Sequence, residues 1–300
     1  MTGRKRTVQA QSVADAFKAL LERISPSQAE LDQARTRATA IKACLVKGFS
    51  VSDVRLVGSF SKGTAVRRLS DVDLFVCLAR DEARWGDRTV DSRTFLRRVR
   101  DQLRQRYPTT HIRGDGQAVS LRFTGGAERF DVVPAIFAGI QKEGAVFGIP
   151  DSRGGWLSTA PHLQRRRLQE AAVRSGGKLP RVIQIVKWWT RVRAQAVPLN
   201  SFHVEMVLTG EELGRGVASY SRLTAEAFRV LARREGRALR DPTGISHLIP
   251  ATDTDAKRRA LTTRLRAAAD WAAPAVTAEK DGDTAGAVAN WNRVFNGKLT

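Results

Sequence analysis

The 300-residue sequence predicts an α/β (α+β) protein whose first half mixes strands with helices and whose second half is helical. Three observations support this prediction. Residues 53–78 contain two segments in which apolar residues recur at strand-like spacing. Residues 12–49 and 92–107 carry apolar residues at helical spacing, and beyond residue 150 almost every segment does. We therefore expect two lobes, residues 1–150 and residues 151–300.

The first half begins with two helices and continues as strands around a third helix. The sequence SVADAFKALLERI predicts the first helix, and the Ser25, Pro26, Ser27 turn separates it from the second. A third, highly charged helix ends before Pro108. The predicted strands are DVRLVGS (53–59), DVDLFVCL (71–78), HIR (111–113), AVSLRF (118–123) and ERFDVVPAIF (128–137).

The composition changes at GIPDSRGGWLSTAP (148–161), which is rich in Gly, Pro and Ser and predicts the boundary between the lobes. Helical spacing then dominates. The five segments are HLQRRRLQEAAVRS (162–175), LPRVIQIVKWWTRVRAQ (179–195), SFHVEMVL (201–208), RLTAEAFRVLARRE (222–235) and DAKRRALTTRLRAAADWAAP (255–274).

The chain is strongly basic, with a net charge of +21 divided almost equally between its halves. This favours polyanionic ligands such as nucleotides, nucleic acid or an acidic partner, although an arginine-rich solvated surface would give the same count. No apolar run approaches the roughly 18 residues of a membrane span, so we expect no membrane partner and a cytoplasmic location. Cys44 and Cys77 are expected to be reduced core residues.

Two aspartates, Asp71 and Asp73, stand beside each other in the second predicted strand. Side chains two apart on a strand share a face, so the two carboxylates should lie close together and repel each other. A hard divalent cation would neutralise them, because Mg²⁺ takes carboxylate oxygens together with water and substrate phosphates. Asp131 is a third acid at strand-like spacing, and sites that hold two ions about 4 Å apart usually need one.

The segment GSFSKGT precedes the acidic strand and supplies Gly58 and Ser59. Glycine lets the backbone approach phosphates closely, and backbone amides with a serine hydroxyl can bind oxyanions. The segment lacks the Walker pattern, so a different phosphate-binding arrangement is implied. Glu128 and Arg129 lie outside the apolar run before Asp131 and are interpreted as surface residues.

Taken together, GSFSKGTAVRRLSDVDLFV and FDVVPAI resemble the nucleotidyltransferase signature of the polymerase-beta-like superfamily. The Gly-Thr-Ala-Val continuation is similar to the branch containing oligoadenylate synthetases, cyclic GMP-AMP synthase and the bacterial CD-NTases, which make signalling oligonucleotides in anti-phage defence. The later VIQIVKWWTRV and NSFHVEMVL are similar to helices of the same branch. The resemblance implies a nucleotidyltransferase core with a mixed sheet, followed by a helical lobe that closes the nucleotide-binding cleft.

The resemblance also implies roles for individual residues. Asp71, Asp73 and Asp131 would hold two Mg²⁺ or Mn²⁺ ions, and Gly58 and Ser59 would lie at the donor triphosphate. Lys187 and Ser201 would contact the triphosphate from the helical lobe, and Phe202 would stack on a base; Lys187 could instead extend to water, and Phe202 could belong to a core. His203 is expected to be a hydrogen-bonded core residue, and at least one of Trp188 and Trp189 should be core.

The expected activity is condensation of nucleoside triphosphates into a cyclic dinucleotide or trinucleotide, with release of pyrophosphate. Operon-encoded regulatory or effector proteins are the partners that the resemblance implies, and a nucleic-acid activator could dock on residues 93–106 and 165–174. Three alternatives stay open at this point. They are transfer to another acceptor (a tRNA end, a protein or a small molecule), a linear oligonucleotide synthase, and a non-catalytic binding module.

Overall fold

The computed structural model describes residues 12–85, 88–123, 129–141, 143–151, 153–193, 195–211, 213–214, 218–245 and 248–300. These residues fall into two compact units. The sheet unit runs from Pro26 to Arg166 and takes in a short segment that begins at Thr243. The helical unit contains the first helix and most of the chain after Arg167. The predicted lobes divide the chain at residue 150, whereas these units place the first helix with the helical half.

The sheet unit is built on one seven-stranded sheet. Its order is β1-β2-β7-β6-β5, and β8 pairs with the far part of β7 and with β9. Strand β2 runs parallel to β7, while the other neighbouring strands of this sheet are antiparallel, so the predicted mixed sheet is confirmed. The strands are β1 Val51–Leu56, β2 Val72–Leu78, β5 His111–Asp115, β6 Ala118–Arg122, β7 Arg129–Gln141, β8 Gly144–Pro150 and β9 Trp156–Thr159.

Smaller elements connect these strands. The helices of this unit are α2 Gln28–Leu45, α3 Gly58–Lys62 and α4 Ser92–Arg106, and a short ribbon joins β3 Arg84–Trp85 to β4 Arg88–Thr89. Helix α2 begins with a capping box, in which Ser27 and Glu30 each accept a hydrogen bond from the other's backbone amide. Helix α4 begins at an Asp91 cap whose carboxylate accepts from the Arg93 amide.

The two faces of the sheet have different surroundings. Alternate residues of β2, including Leu74 and Val76, join a core with Ile41 of α2 and Phe95 of α4. The intervening residues point the other way, where Phe75 packs edge-on against Phe147 with ring centroids 5.3 Å apart. Because side chains alternate along a strand, Asp73 lies on this second face, away from α2 and α4.

The elements of this unit differ from the sequence interpretation at two places. The predicted strand DVRLVGS ends at Leu56, and Gly58 begins the short helix α3. The segment interpreted as the lobe boundary contains parts of β8 and β9. These two strands pair antiparallel, from Phe147 opposite Thr159 to Pro150 opposite Trp156. The ladder between β8 and β9 is a pairing that local Gly and Pro content does not reveal.

The helical unit packs around aromatic side chains. Phe17 of α1 meets Trp291 edge-on at 5.1 Å, and Trp189 meets Phe228 at 5.0 Å. Trp189 is fully buried, which confirms that at least one of the paired tryptophans is core. The helices are α1 Val13–Ile24, α5 Pro161–Arg174 (which continues from the sheet unit), α6 Leu179–Trp189, α7 Ser201–Gly210, α8 Tyr220–Arg233, α9 Asp255–Lys280 and α10 Thr284–Val294; a ribbon joins β10 Leu239–Arg240 to β11 Leu248–Ile249.

The predicted end of the last helix at Pro274 was also wrong. Helix α9 continues through Pro274 to Lys280, and α10 follows it. Proline removes one backbone donor from a helix, but the flanking Ala272 and Ala275 are fully buried, and their packing holds the helix together. Among the helices of the described residues, none combines the length and apolar character that crossing a bilayer requires.

Candidate active site

Three aspartates meet at the start of β2 and β7. Asp73 of β2 and Asp131 of β7 are direct partners in the parallel register, and Asp71 immediately precedes β2. Neighbouring strands lie less than about 5 Å apart, so this register brings two carboxylates together from residues 58 positions apart in the chain. The structure thus places Asp73 and Asp131 side by side, with Asp71 one residue before β2.

Arg129 lies between two of these acids. Its Nη2 donates to Asp71 Oδ2 over 2.6 Å and to Asp131 Oδ2 over 3.1 Å, and its Nη1 lies 3.5 Å from Asp115 Oδ2. Only about a quarter of the Arg129 side chain is exposed. Its interpretation as a surface residue was therefore wrong, because β7 begins at Arg129 and directs the side chain along the acidic face; Glu128 lies outside the described residues.

The charges of this cluster perturb one another. Burial raises the pKa of Asp71, and the nearby Asp131 raises it further, while the Arg129 guanidinium opposes both effects. Burial alone would lower the pKa of Arg129, but Asp131, Asp71 and Asp115 outweigh it and raise that pKa. The Arg129 guanidinium thus supplies the kind of positive charge that the sequence analysis assigned to a divalent metal ion.

Ser120 holds the third aspartate in place. It is the cross-strand partner of Asp131 on β6, it is buried, and its hydroxyl donates to Asp131 Oδ1 over 2.7 Å. The sequence interpretation missed Ser120. The available signal was its place in AVSLRF, where a polar side chain occupies a position with apolar neighbours on both sides.

The Gly58–Ser59 segment packs directly on the acidic strand. Gly58 adopts a positive φ of 59°, which favours glycine, and its backbone lies against the Asp73 side chain. The Val57 amide donates to the Asp73 carbonyl over 2.9 Å. Ser59 lies in the first turn of α3 and is partly buried. Gly58 therefore lies against Asp73, and Ser59 follows it in α3.

A cavity of about 560 Å³ opens beside the cluster. Its lining includes Asp73, Asp131, Asp115 and Asp151, against one basic residue, Arg153. This volume suits a small-molecule ligand, since such pockets usually measure about 300–1,000 Å³. An anionic ligand would be repelled by so many carboxylates unless cations accompanied it.

The three aspartates are candidate ligands for a metal ion. In the described ranges, no three His, Cys, Asp or Glu side chains converge as a metal cluster. Asp71 and Asp131 converge on the Arg129 guanidinium instead, so a positive charge already occupies the place between them. Three carboxylates are the oxygen donors that hard divalent ions take, and the residues therefore fit such an ion in their chemistry.

The remaining predicted residues belong to the helical unit. Lys187 is buried on α6 and forms an ion pair with Glu205 of α7, so a carboxylate within the chain is one anionic partner of this lysine. Ser201 is exposed at the start of α7, and Phe202 is partly buried. His203 is buried, with its Nδ1 3.0 Å from the Ile249 carbonyl oxygen, which confirms the hydrogen-bonded core histidine.

Comparisons with known proteins agree with this architecture. Comparison with solved structures shows that the chain shares its fold with E. coli MS115-1 CdnC. A family model described as the Second Messenger Oligonucleotide or Dinucleotide Synthetase domain matches residues 12–171, more than half of the chain. The chain belongs to this family, the CD-NTases, and the resemblance found in the sequence is confirmed.

Individual relatives are distant. The chain is 26% identical over 167 residues to the cyclic AMP-AMP-AMP synthase of Escherichia coli (strain MS 115-1), covering 53% of this chain and 50% of that protein. The chain thus spans about half the length of the curated relatives it matches. The alignment with the structure of E. coli MS115-1 CdnC with ATP covers 97% of this chain and 99% of that chain, with a TM-score of 0.74 and 20% identity. CdnC in complex with HORMA-deltaN gives a TM-score of 0.71, the same coverage of both chains and also 20% identity.

Proposed function

We propose that this protein is a metal-dependent nucleotidyltransferase that condenses nucleoside triphosphates into a cyclic dinucleotide or trinucleotide. The observation that carries the proposal is the pairing of Asp73 with Asp131 on two parallel strands beside an acidic cavity, with Asp71 joined to Asp131 through Arg129. Membership of the second-messenger synthetase family supports the same reaction class. The E. coli relative is named a cyclic AMP-AMP-AMP synthase, so adenine nucleotides are the first substrates to supply.

In this proposal the three aspartates hold two Mg²⁺ or Mn²⁺ ions. When bound, such ions would supply positive charge to the phosphate oxygens of the substrates. A ribose hydroxyl of one nucleotide attacks the α-phosphate of another, so that a phosphodiester bond forms and pyrophosphate leaves. The chain's contribution is to orient the reactants, because phosphoryl transfer depends mainly on positioning and charge.

The Gly58–Ser59 segment would contact the donor triphosphate. Gly58 has no side chain and its backbone lies against the Asp73 carboxylate, so a triphosphate bound at this segment would lie beside Asp73. The Ser59 hydroxyl would add a hydrogen-bond donor at the same place. This arrangement holds the triphosphate next to the carboxylates that carry the metal ions.

The helical unit would supply further contacts. Lys187 and Ser201 would bind the triphosphate, and Phe202 would stack on a base, since an aromatic face accepts any base. Ser201 is exposed and available for such a contact. Lys187 would have to share its ammonium between Glu205 and a phosphate, and this sharing makes it the most informative of the three to test.

Partners follow from the relatives and from the surface charge. CdnC of E. coli MS115-1 has been solved in complex with HORMA-deltaN, and we propose that a regulatory protein and a downstream effector act with this chain in anti-phage signalling. The nucleic-acid activator would contact arginines of α4. Arg93 and Arg98 pair there with Asp91 and Glu82. Such exposed pairs are weak, so phosphates can compete for these arginines.

The decisive experiment supplies all four ribonucleoside triphosphates with Mg²⁺ or Mn²⁺ and identifies the products by mass spectrometry after phosphatase treatment. We expect a phosphatase-resistant cyclic oligonucleotide from the native protein and none from Asp73→Asn or Asp131→Asn. Asp53→Asn on neighbouring β1 is the matched control, because Asp53 pairs with Arg55 outside the cluster. Full turnover by Asp73→Asn would refute the site, and products that are only linear would refute ring closure.

Rates of nucleotidyl transfer unchanged by added RNA or DNA at low salt would exclude the nucleic-acid activator.

A further inference from the structure

Arg129 and the three acids around it form a connected cluster that the proposed function does not by itself require. One guanidinium nitrogen serves both Asp71 and Asp131, and the other faces Asp115 at the end of β5. Its Nε is buried and has no hydrogen-bond partner among the described residues. The guanidinium is thus attached through its outer nitrogens alone, and its contacts divide between two acids of the proposed metal site and one acid outside that set.

We propose that Arg129 is an internal counter-ion that competes with the divalent metal for Asp71 and Asp131, and that Asp115 retains the guanidinium when the metal enters. This inference rests on the proposed function, because it takes Asp71 and Asp131 to be metal ligands. Arg129 and Asp115 are positioning residues in this scheme, since they act on the carboxylates that hold the ions.

Electrostatics requires the guanidinium to move. Arginine stays protonated in proteins, so Arg129 cannot escape a neighbouring dication by losing its proton. Two cations within a few ångströms repel strongly in a partly buried site. The carboxylates that now accept from Arg129 are those that would hold the metal in the proposed function, so the two cations compete for the same acids.

Asp115 is suited to receive the displaced guanidinium. It already lies 3.5 Å from Arg129 Nη1, and its side chain is 44% exposed, so the carboxylate has room to follow. It ends β5, next to Gly116 in the turn to β6, and it also accepts from Arg113. A small rotation of Arg129 would exchange two contacts to the metal-site acids for a closer pair with Asp115.

Two consequences follow. In the metal-free protein Arg129 keeps the acids together without mutual repulsion, so the site is formed before the metal arrives. The same contact lowers metal affinity, because the metal must displace it. Removing Arg129 should therefore tighten metal binding, whereas removing Asp115 should weaken it, since the guanidinium then has no alternative acid of this cluster.

The test is direct titration with Mn²⁺, read by the electron paramagnetic resonance signal of the free ion, with no nucleotide and no turnover. We expect Arg129→Gln to bind Mn²⁺ about 10-fold more tightly and Asp115→Asn about 5-fold more weakly, within the usual range of coupling between two ligands. The double variant should match Arg129→Gln, because Asp115 acts only through Arg129.

Arg122→Gln is the matched control. Arg122 lies directly opposite Arg129 on β6 and also lowers the pKa of Asp71 through its charge, yet in the described part of the chain it is in none of the ion pairs of this cluster. A general loss of positive charge would affect both variants equally. Equal tightening in Arg122→Gln, or unchanged or weaker Mn²⁺ binding in Arg129→Gln, would overturn the proposal.

The Asp115→Asn variant keeps the test valid if Arg129→Gln fails to fold, because Asp115 is partly exposed and its substitution removes no core contact. Unchanged Mn²⁺ affinity in folded Asp115→Asn overturns the retention step. Failure of the proposed function would give a different result. If Asp71→Asn and Asp131→Asn left the Mn²⁺ affinity unaltered, these acids would not be the metal ligands.

Discussion

Gly58 lies so close to Asp73 that a β-carbon at position 58 would overlap the Asp73 carboxylate, with Asp73 Cγ only 2.7 Å away. Gly58 also has a positive φ of 59°. The glycine is therefore required both by its backbone conformation and by the carboxylate beside it. Any side chain at this position would have to displace an aspartate of the proposed metal site.

We predict that Gly58→Ala reduces nucleotidyl transfer by about 100-fold or more, because small displacements of reacting groups have effects of this size. Gly63→Ala is the control. Gly63 has a similar φ of 68°, but a β-carbon there would meet nothing within 4 Å. Both variants should lose about 1–2 kcal/mol of stability from the left-handed conformation. Steady-state rates and urea unfolding would measure the two effects, and equal activities would contradict the prediction.

Ser120→Ala should leave the Asp131 carboxylate less firmly oriented. The variant removes the hydroxyl that donates to Asp131 Oδ1 and should cost about 1–2 kcal/mol, since a buried acceptor loses its donor. We expect the turnover number to fall by about 10-fold while the Michaelis constant changes little, because the carboxylate would hold a metal ion at the reacting phosphate.

Ser52→Ala in β1 provides the comparison for this prediction. The Ser52 hydroxyl donates to the Cys77 carbonyl in the same sheet, at a distance of 3.1 Å, outside the acidic cluster. It should lose some stability and keep its turnover number. If the two serine variants had the same kinetics, Ser120 would be a structural residue only.

The buried pair of Lys187 and Glu205 allows stability and substrate contact to be separated. The two side chains are only 6% and 4% exposed. Lys187→Met alone should destabilise the protein by about 3–5 kcal/mol, because Glu205 is left charged and buried. The double variant Lys187→Met, Glu205→Leu should recover most of that loss, as measured by denaturant unfolding.

Kinetics of the folded double variant then test the proposed triphosphate contact. If Lys187 binds the donor triphosphate, the Michaelis constant for the nucleotide should rise by about 10-fold or more. An unchanged Michaelis constant in this variant would leave Lys187 a purely structural residue.

Thiol labelling tests the two core cysteines. Burial, followed by the charge of Asp53, raises the pKa of Cys77 to about 11, and burial raises that of Cys44. Because the thiolate is the reactive form, native protein at pH 8 should label at neither site, and denatured protein should label at both. Because the thiol pKa is higher in the folded protein than in the unfolded chain, the protonated thiol contributes to stability at pH values below its unfolded pKa. This contribution is lost as the pH rises towards about 11. Rapid labelling of native protein at pH 8 would contradict this.

The sequence was sufficient to predict the acidic cluster and the order of the main elements. Period-two alternation is a local property, so DVDLFVCL and ERFDVVPAIF predicted β2 and β7 with their aspartates in place. The family signature extended the prediction to Gly58 and Ser59. The helical segments after residue 160 also follow from local spacing, apart from α10 and the end of α9.

Tertiary structure alone decided which side chains these acids meet. Arg129 reaches Asp71 because β2 and β7 are parallel and in register, and Ser120 reaches Asp131 because β6 pairs with β7 on its other edge. Glu205 meets Lys187 through the packing of α6 against α7. Each contact joins residues 11 to 58 positions apart. Local propensity carries no information on such pairings, since they depend on the register and packing of whole elements.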